Sequence, residues 1–549
     1  MKTTQDGYYE DDEIKEPEQN LLQPTTIKKK VSKKTIFICL SLFALALGLR
    51  LYFFSVATDP NNPGAGWFGD SYHHWQIGYL TKEIGLHRGF LRVWDLKGMD
   101  LFWGLLHPIA LASIFTVTGN SSMWMVRAMT STAGAISVVI IYLLGKRYWN
   151  EKVGVAAAVF TACCSVIIFN DATGMVEPLG IPFLLGGIYF WPRKTFLAGI
   201  LLGIAMMTRS EFWVFSLGLT AAFILFDRAI HTDKKVLLVF GLLLVLIPYM
   251  KYLLDYTGNP IYPLYQNIDK NIQGEWQYKE VLDAKDLFGQ FAFRIITAIT
   301  VLCSALVLWF KPRAWQWHLL GLGNWLFVGL TFGFSEYIKS WADYVWVVRF
   351  LLYPYTFLCI IFAAILFYYI PTRIKFLNNV VGTLLSSIIL IFAIGATQLA
   401  WPEIFKYYNP TQPTWENIKV VSKDLIKDYK GGGLLMIEGN PDITYALVHE
   451  YGVQGKDLVS QMYDPYFYYE EKGVDPYANW NAVNPLSKDG MTFRDEVLYF
   501  LKSNNIKYMI TYSDRVRYTK LFELEPGLAT PATGTYGNLI TYTINTDRL

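Results

Sequence analysis

Asp70 stands in the stretch GWFGDSYHHWQIGYL, three and four residues ahead of His73 and His74. On a helix that spacing puts the carboxylate and both imidazoles on one side. A carboxylate there suits a general base or a charge stabiliser. It also suits plain helix grammar, an N-cap accepting the first N–H groups of a helix running through Tyr72 to Ile84. With one further ligand the three groups would hold a metal. Alternatively, a neutral imidazole bonds the acid or a substrate hydroxyl.

Three other places bear charge inside apolar surroundings. In FNDATGMVEPLGIPF, Asp171 reads as a loop residue, and Glu177 with Pro178 opens a helix. An acid and a proline in a first turn are ordinary there, but Glu177 would equally serve as a second carboxylate facing the same cavity as Asp70. In MMTRSEF, Arg209 and Glu211 occupy a very short link. They make either a local ion pair or a guanidinium fork for a phosphate. In DYVWVVRFLLYPYTF, Arg349 lies inside a helical pattern, either snorkelling or paired with Asp343, or again facing a phosphate. Lys97 and Arg92 are weaker cationic candidates in the preceding loop.

The elements that must position these groups are membrane helices. Of 549 residues, 53% are hydrophobic and 17% charged, with 18 Trp, 36 Tyr and 36 Phe. This is more apolar and less charged than soluble domains, and the aromatic excess suits interfacial belts. A net charge of +3 gives no argument for a nucleic-acid partner. Residues 1–34 are polar, an acidic block followed by a lysine-rich one, and read as a disordered cytoplasmic tail. The run Thr35–Ala57 has no small-residue cleavage site behind it and reads as a retained span. Apolar segments follow near 123–145, 153–169, 177–191, 195–208, 211–227, 235–252, 290–310, 315–333, 344–370 and 376–400. Basic pairs such as Lys146-Arg147, Arg193-Lys194 and Lys234-Lys235 mark the cytoplasmic links. Those pairs stay inside with the lysine-rich N-terminus only if Leu101–Val117, interrupted by His107-Pro108, lies in the interface instead of crossing. Residues 58–122 then form one long external loop with interfacial helices, and about eleven spans are expected, with the N-terminus cytoplasmic and the C-terminus extracytoplasmic. Trp67, Phe68, Tyr72 and Trp75 read as interface anchors. The segments 177–191 and 195–208 are short for a ~30 Å hydrocarbon core and so are expected to border a cavity.

The transmembrane part, 35–400, gives way at Trp401 to a stretch of different character. An amphipathic WENIKVVSKDLIKDYK, a glycine turn with the apolar run GGGLLMIEG, a helix ITYALVHEYG closing on Gly452, and NIKYMITYSD together spell an α/β domain over 401–549. The five cysteines all lie in apolar runs at no zinc spacing. The loop 252–290 is long enough to form a gating or acceptor-binding element.

In this order, FGDSYHHWQIGYL, TGNSSMWMVRAMT with Gly119 and Arg127, MVEPLGIPFLLGGIYF, LAGILLGIAMMTRSEFWVF and VVRFLLYPYTF resemble the GT-C superfamily of polytopic glycosyltransferases. The branch most similar is the family-39-like one of protein O-mannosyltransferases and the lipid A aminoarabinose transferase. The resemblance covers about 35–370. It implies an inverting transfer of a monosaccharide, mannose-like favoured, from a polyprenyl-phosphate donor to a protein, glycan or lipid acceptor on the extracytoplasmic side of a membrane, a prokaryotic plasma membrane favoured. Asp70 would be the base and Glu177 would position the acceptor. Arg209 and Arg349 would face the donor phosphate, with Lys97, Glu211, His73 and His74 as further substrate-binding residues. No cofactor is implied as required; a divalent metal stays open. The sequence departs from the pattern at His107-Pro108, where many members carry Lys-Pro, and in lacking a second acid beside Asp70. A transporter or flippase of lipid-linked sugars is the alternative, but it should show repeated halves, and none is seen. A membrane-anchored binding protein would not need charges gathered on one membrane face.

Overall fold

The computed structural model describes residues 32–57, 69–85, 103–191, 193–227, 230–266, 302–303, 306, 352–399, 415–436, 441–461, 464–487 and 489–549. Among them, five helices are long and apolar enough to cross a membrane. These are α1 (Lys33–Ala57), α4 (Met123–Tyr148), α10 (Thr232–Thr257), α11 (Leu352–Ala364, continued to Arg373) and α12 (Val380–Gln398). Helices α5 (Glu151–Cys163) and α6 (Ser165–Ala172) are apolar enough together and meet at 61°, the geometry of a broken span or a re-entrant loop.

The remaining helices of this part are shorter. Helix α2 (Gly69–Leu80) runs on into a π-helical turn, Thr81–Gly85. Helix α3 (Leu106–Thr118) covers the segment read from the sequence as interfacial. Helices α7 (Glu177–Phe190), α8 (Thr195–Met206) and α9 (Ser210–Phe226) form the short set. At ~1.5 Å per residue α8, with 12 residues, reaches only ~18 Å. The short helices α7 and α8 pack on each other, and α8 on α10.

A buried ion pair locks the helices behind the short set. Arg50 of α1 reaches Asp171 of α6 with Nη2 at 2.6 Å and Nε at 2.8 Å, and Thr130 of α4 donates to the Asp171 carbonyl at 2.7 Å. Asp171, expected in a loop, is therefore the penultimate residue of a buried helix. Its partner is an arginine 121 residues away, beyond the reach of local sequence reading. Gly134 of α4 makes room: a Cβ there would stand 2.1 Å from Asp171 Oδ2. Gly134→Ala is expected to push the pair apart and cost roughly 1–3 kcal/mol or more, read as a lowered melting temperature in detergent.

From Trp415 the chain builds a five-stranded sheet in the order β2-β1-β3-β5-β4, with β1 (Gly433–Met436) parallel to β2 (Leu458–Ser460) and β3 (Ile506–Tyr512). Strands β4 (Ala529–Tyr536) and β5 (Leu539–Ile544) add an antiparallel hairpin on β3. The helices around it are α13 (Trp415–Leu425), α14 (Pro441–His449), α15 (Pro465–Glu471), α16 (Phe493–Ser503) and α17 (Val516–Leu524). Arg494 and Glu525 pair across the domain, and the guanidinium holds the Glu525 carboxyl below its ordinary value.

Candidate active site

The short helix α2 organises the charged residues. Its first turn carries Asp70, and Ser71 donates to the Thr173 carbonyl at 2.5 Å, which ties that turn to the link before Glu177. Residues on opposite sides of α2 then face different parts of the molecule.

Toward the short helices, His73 and His74 both lie edge-on to Trp103, with ring centroids 4.9 Å apart in each case, and His74 stands 5.3 Å from His107 of α3. His107 in turn lies within the field of Glu177. Trp103 is held there by the following glycine. Gly104 adopts φ +94°, and a Cβ on it would sit 2.3 Å from the Met207 carbonyl, the same carbonyl that accepts from Leu106 N at 2.9 Å. Only glycine suits both the left-handed backbone and the close approach. This clamp joins the start of α3 to the α8–α9 link, which carries Arg209.

Arg209 forks between two buried carboxylates. Its Nη1 lies 2.9 Å from Glu177 Oε1, and its Nε lies 2.8 and 2.9 Å from the two Glu211 oxygens, while Ser210 Oγ supports Glu211 at 3.2 Å. All three side chains are buried, and their formal charges leave a surplus of one negative charge. In this low-dielectric setting such charge-assisted bonds are strong and geometrically demanding. The local pair expected at MMTRSEF is present, and it is joined by an acid from another helix.

On the other side of α2 a cation is left over. Arg127, one turn into α4, is fully buried, and none of its three side-chain nitrogens has a hydrogen-bond partner among the described residues. It rests over the Phe54 ring at 5.0 Å. Gly174 lies between it and α2: a Cβ there would fall 3.4 Å from Arg127 Cγ and 3.8 Å from Ser71 Cβ. An uncompensated buried guanidinium is costly, and a cation–π contact offsets only part of that. The sequence contained this signal as an arginine in an otherwise apolar helix start, but it does not reveal that the guanidinium is buried without a hydrogen-bond partner among the described residues.

Five site residues read from the sequence thus fall into two groups: His73 and His74 around Trp103 and His107, and Glu177, Arg209 and Glu211 in a buried ion-pair cluster. Asp70 opens the helix that presents it, and its side chain lies outside the described residues. Lys97, Arg349 and most of the 252–290 loop also lie outside them, as do Trp67 and Phe68. Among the described residues, no group of three or more His, Cys, Asp or Glu side chains is gathered to hold a metal. One expectation is corrected. Tyr72 and Trp75 are not interface anchors; both are buried. Tyr72 and Trp75 pack on Tyr445 of the C-terminal domain at 5.3 and 4.8 Å. Aromatic rings that suit a headgroup layer suit a domain contact equally well.

Residues 104–252, from the clamp glycine into the last turns of α10, match the family model of dolichyl-phosphate-mannose-protein mannosyltransferases. The apo oligosaccharyltransferase of Archaeoglobus fulgidus is similar in fold, at a TM-score of 0.50 and 9% identity, over 92% of this chain and 74% of that one. The same archaeal enzyme in complex with an inhibitory peptide and a dolichol-phosphate overlaps more loosely, at a TM-score of 0.41 and 12% identity, over 94% and 75%. Comparison with curated protein sequences gives no match. The family model thus matches the membrane part around α3 to α10, and the apo structure is alike in overall fold.

Proposed function

We propose that this protein transfers a monosaccharide, with a mannose-like sugar favoured, from a polyprenyl-phosphate donor to an acceptor hydroxyl, with inversion, on the extracytoplasmic face. The observation that carries the reading is a buried guanidinium, Arg127, with no hydrogen-bond partner among the described residues, packed through Gly174 against Ser71 in the first turn of α2, the turn that carries Asp70. The acceptor O–H gives its proton to the Asp70 carboxylate, its oxygen bonds to the sugar C1, and the C1–O bond to phosphate breaks. The leaving polyprenyl phosphate gains negative charge, which a fixed cation in a dry site stabilises. One base and one good leaving group suffice for such a displacement.

Among the cations assigned to the phosphate by resemblance, Arg209 already forks onto Glu177 and Glu211, and Lys97 and Arg349 lie outside the described residues. Arg127 has donors with no hydrogen-bond partner among the described residues. In this reading Arg209 fixes Glu177 so that its carboxylate orients the acceptor, with His73, His74 and Glu211 as supporting groups. The 35–400 segment is the catalytic membrane domain, residues 1–34 the cytoplasmic tail, and 401–549 the extracytoplasmic domain that helps choose a protein, glycan or lipid acceptor.

The test is transfer of radiolabelled sugar from a panel of polyprenyl-phosphate monosaccharides in proteoliposomes. Consumption of one donor, with an anomer of opposite configuration in the product, is the expected result. A panel in which no donor is consumed while the reconstituted protein stays folded would overturn the proposal.

A further inference from the structure

The C-terminal domain packs along one side of α2, and Tyr445 meets it near the first turn. We propose that Tyr445, in α14, is a positioning residue of the active site, holding the first turn of α2 and the Arg127 guanidinium in place. This rests on the catalytic reading of Asp70 and Arg127 given above.

The hydroxyl oxygen of Tyr445 accepts from the Met123 N–H at 3.1 Å. Met123 is the first residue of α4, and Ser122 before it makes no side-chain cap bond. A residue 322 positions away thus does the work of an N-cap. Arg127 lies four residues further along α4, on the same face as Met123. Holding the start of α4 therefore holds the turn from which Arg127 projects.

The ring of Tyr445 packs on Tyr72 and Trp75 of α2 and on Trp415 of its own domain at 5.5 Å. The grip continues along that side of α2. Gln76 Nε2 lies 3.4 Å from Thr444 Oγ1, and Gly455 is pressed against Tyr79 and Glu83 so closely that a Cβ there would stand 2.8 and 2.7 Å from them. Positions 72, 75, 76, 79 and 83 form one helical stripe. Both Trp75 Nε1, at 2.5 Å, and His449 Nε2, at 3.2 Å, meet the Ser121 carbonyl just before α4. Burial lowers the His449 pKa, so the ring is neutral near pH 7 and its Nε2–H donates. One stripe of α2 is therefore given over to the C-terminal domain, while His73 and His74 on another face the site, so a shift of α14 moves both.

Tyr445→Phe and Tyr445→Ala test this in the full-length protein, using the donor-panel transfer assay and normalising rates to folded enzyme by melting curves. Tyr445→Phe keeps the ring packing and loses the Met123 bond; its kcat is expected to fall about three- to tenfold at unchanged acceptor KM. Tyr445→Ala is expected to fall about 100-fold, the scale of a small misplacement of reacting groups. A merely structural role would lower the folded fraction and leave kcat per folded molecule alone. Wild-type kcat in Tyr445→Phe, with Asp70→Asn inactive in the same assay, overturns the positioning role alone. Transfer surviving in Asp70→Asn overturns the catalytic reading beneath it.

Discussion

Asp70→Asn is expected to leave a folded protein that binds donor and transfers sugar about 10²–10⁴-fold more slowly. Asparagine has nearly the same shape, so Ser71 can still donate to Thr173 and the first turn of α2 can stay docked. What is lost is the lone pair that takes the acceptor proton. The deficit should therefore appear in kcat, with the donor KM little changed. It should also shrink with a more acidic acceptor hydroxyl, such as a phenol, because that oxygen needs less help to lose its proton. Steady-state transfer with an alkyl and a phenolic acceptor, alongside melting curves, checks both points. An equal deficit with both acceptors would mean that Asp70 works by charge stabilisation and not by proton transfer.

The residues that carry the site were legible where chemistry is written locally. Glu177 at a helix start, and Arg209 two residues from Glu211, stand out because charges are rare in apolar segments. Helix α2 was legible too, as was the α/β character after residue 400. What sequence spacing could not supply was long-range pairing. The Arg50–Asp171 bond spans 121 residues, and the Tyr445–Met123 bond spans 322. For the same reason Tyr72 and Trp75 were misread. An aromatic stripe shows that a surface wants an apolar partner, and it does not say whether lipid or protein provides it. Arg127 was visible as a residue, but its burial over the Phe54 ring is a property of the packed interior alone.

Arg209 offers the sharpest test of how the site is held. Removing its head group while keeping the stem, Arg209→Met, leaves Glu177 and Glu211 buried beside each other with no cation between them. Two like charges at this depth cannot both stay ionised cheaply, so at least one must take a proton or draw in water. Breaking a buried pair from one side costs about 3–5 kcal/mol, so a large fall in melting temperature and in reconstitution yield is expected. Neutralising the acids as well should undo much of that loss. The triple change Arg209→Met, Glu177→Gln, Glu211→Gln leaves amides that bond one another and no unpaired charge, so it should melt well above Arg209→Met alone. The two outcomes separate two jobs for the guanidinium. If Arg209 chiefly organises its acids, the triple variant is stable and inactive, since the group that orients the acceptor is then an amide. If Arg209 instead faces the donor phosphate, Arg209→Met should melt close to wild type, because its charge would be matched by the ligand and not by Glu177 and Glu211. The short distances to both acids, from both ends of the fork, favour the first.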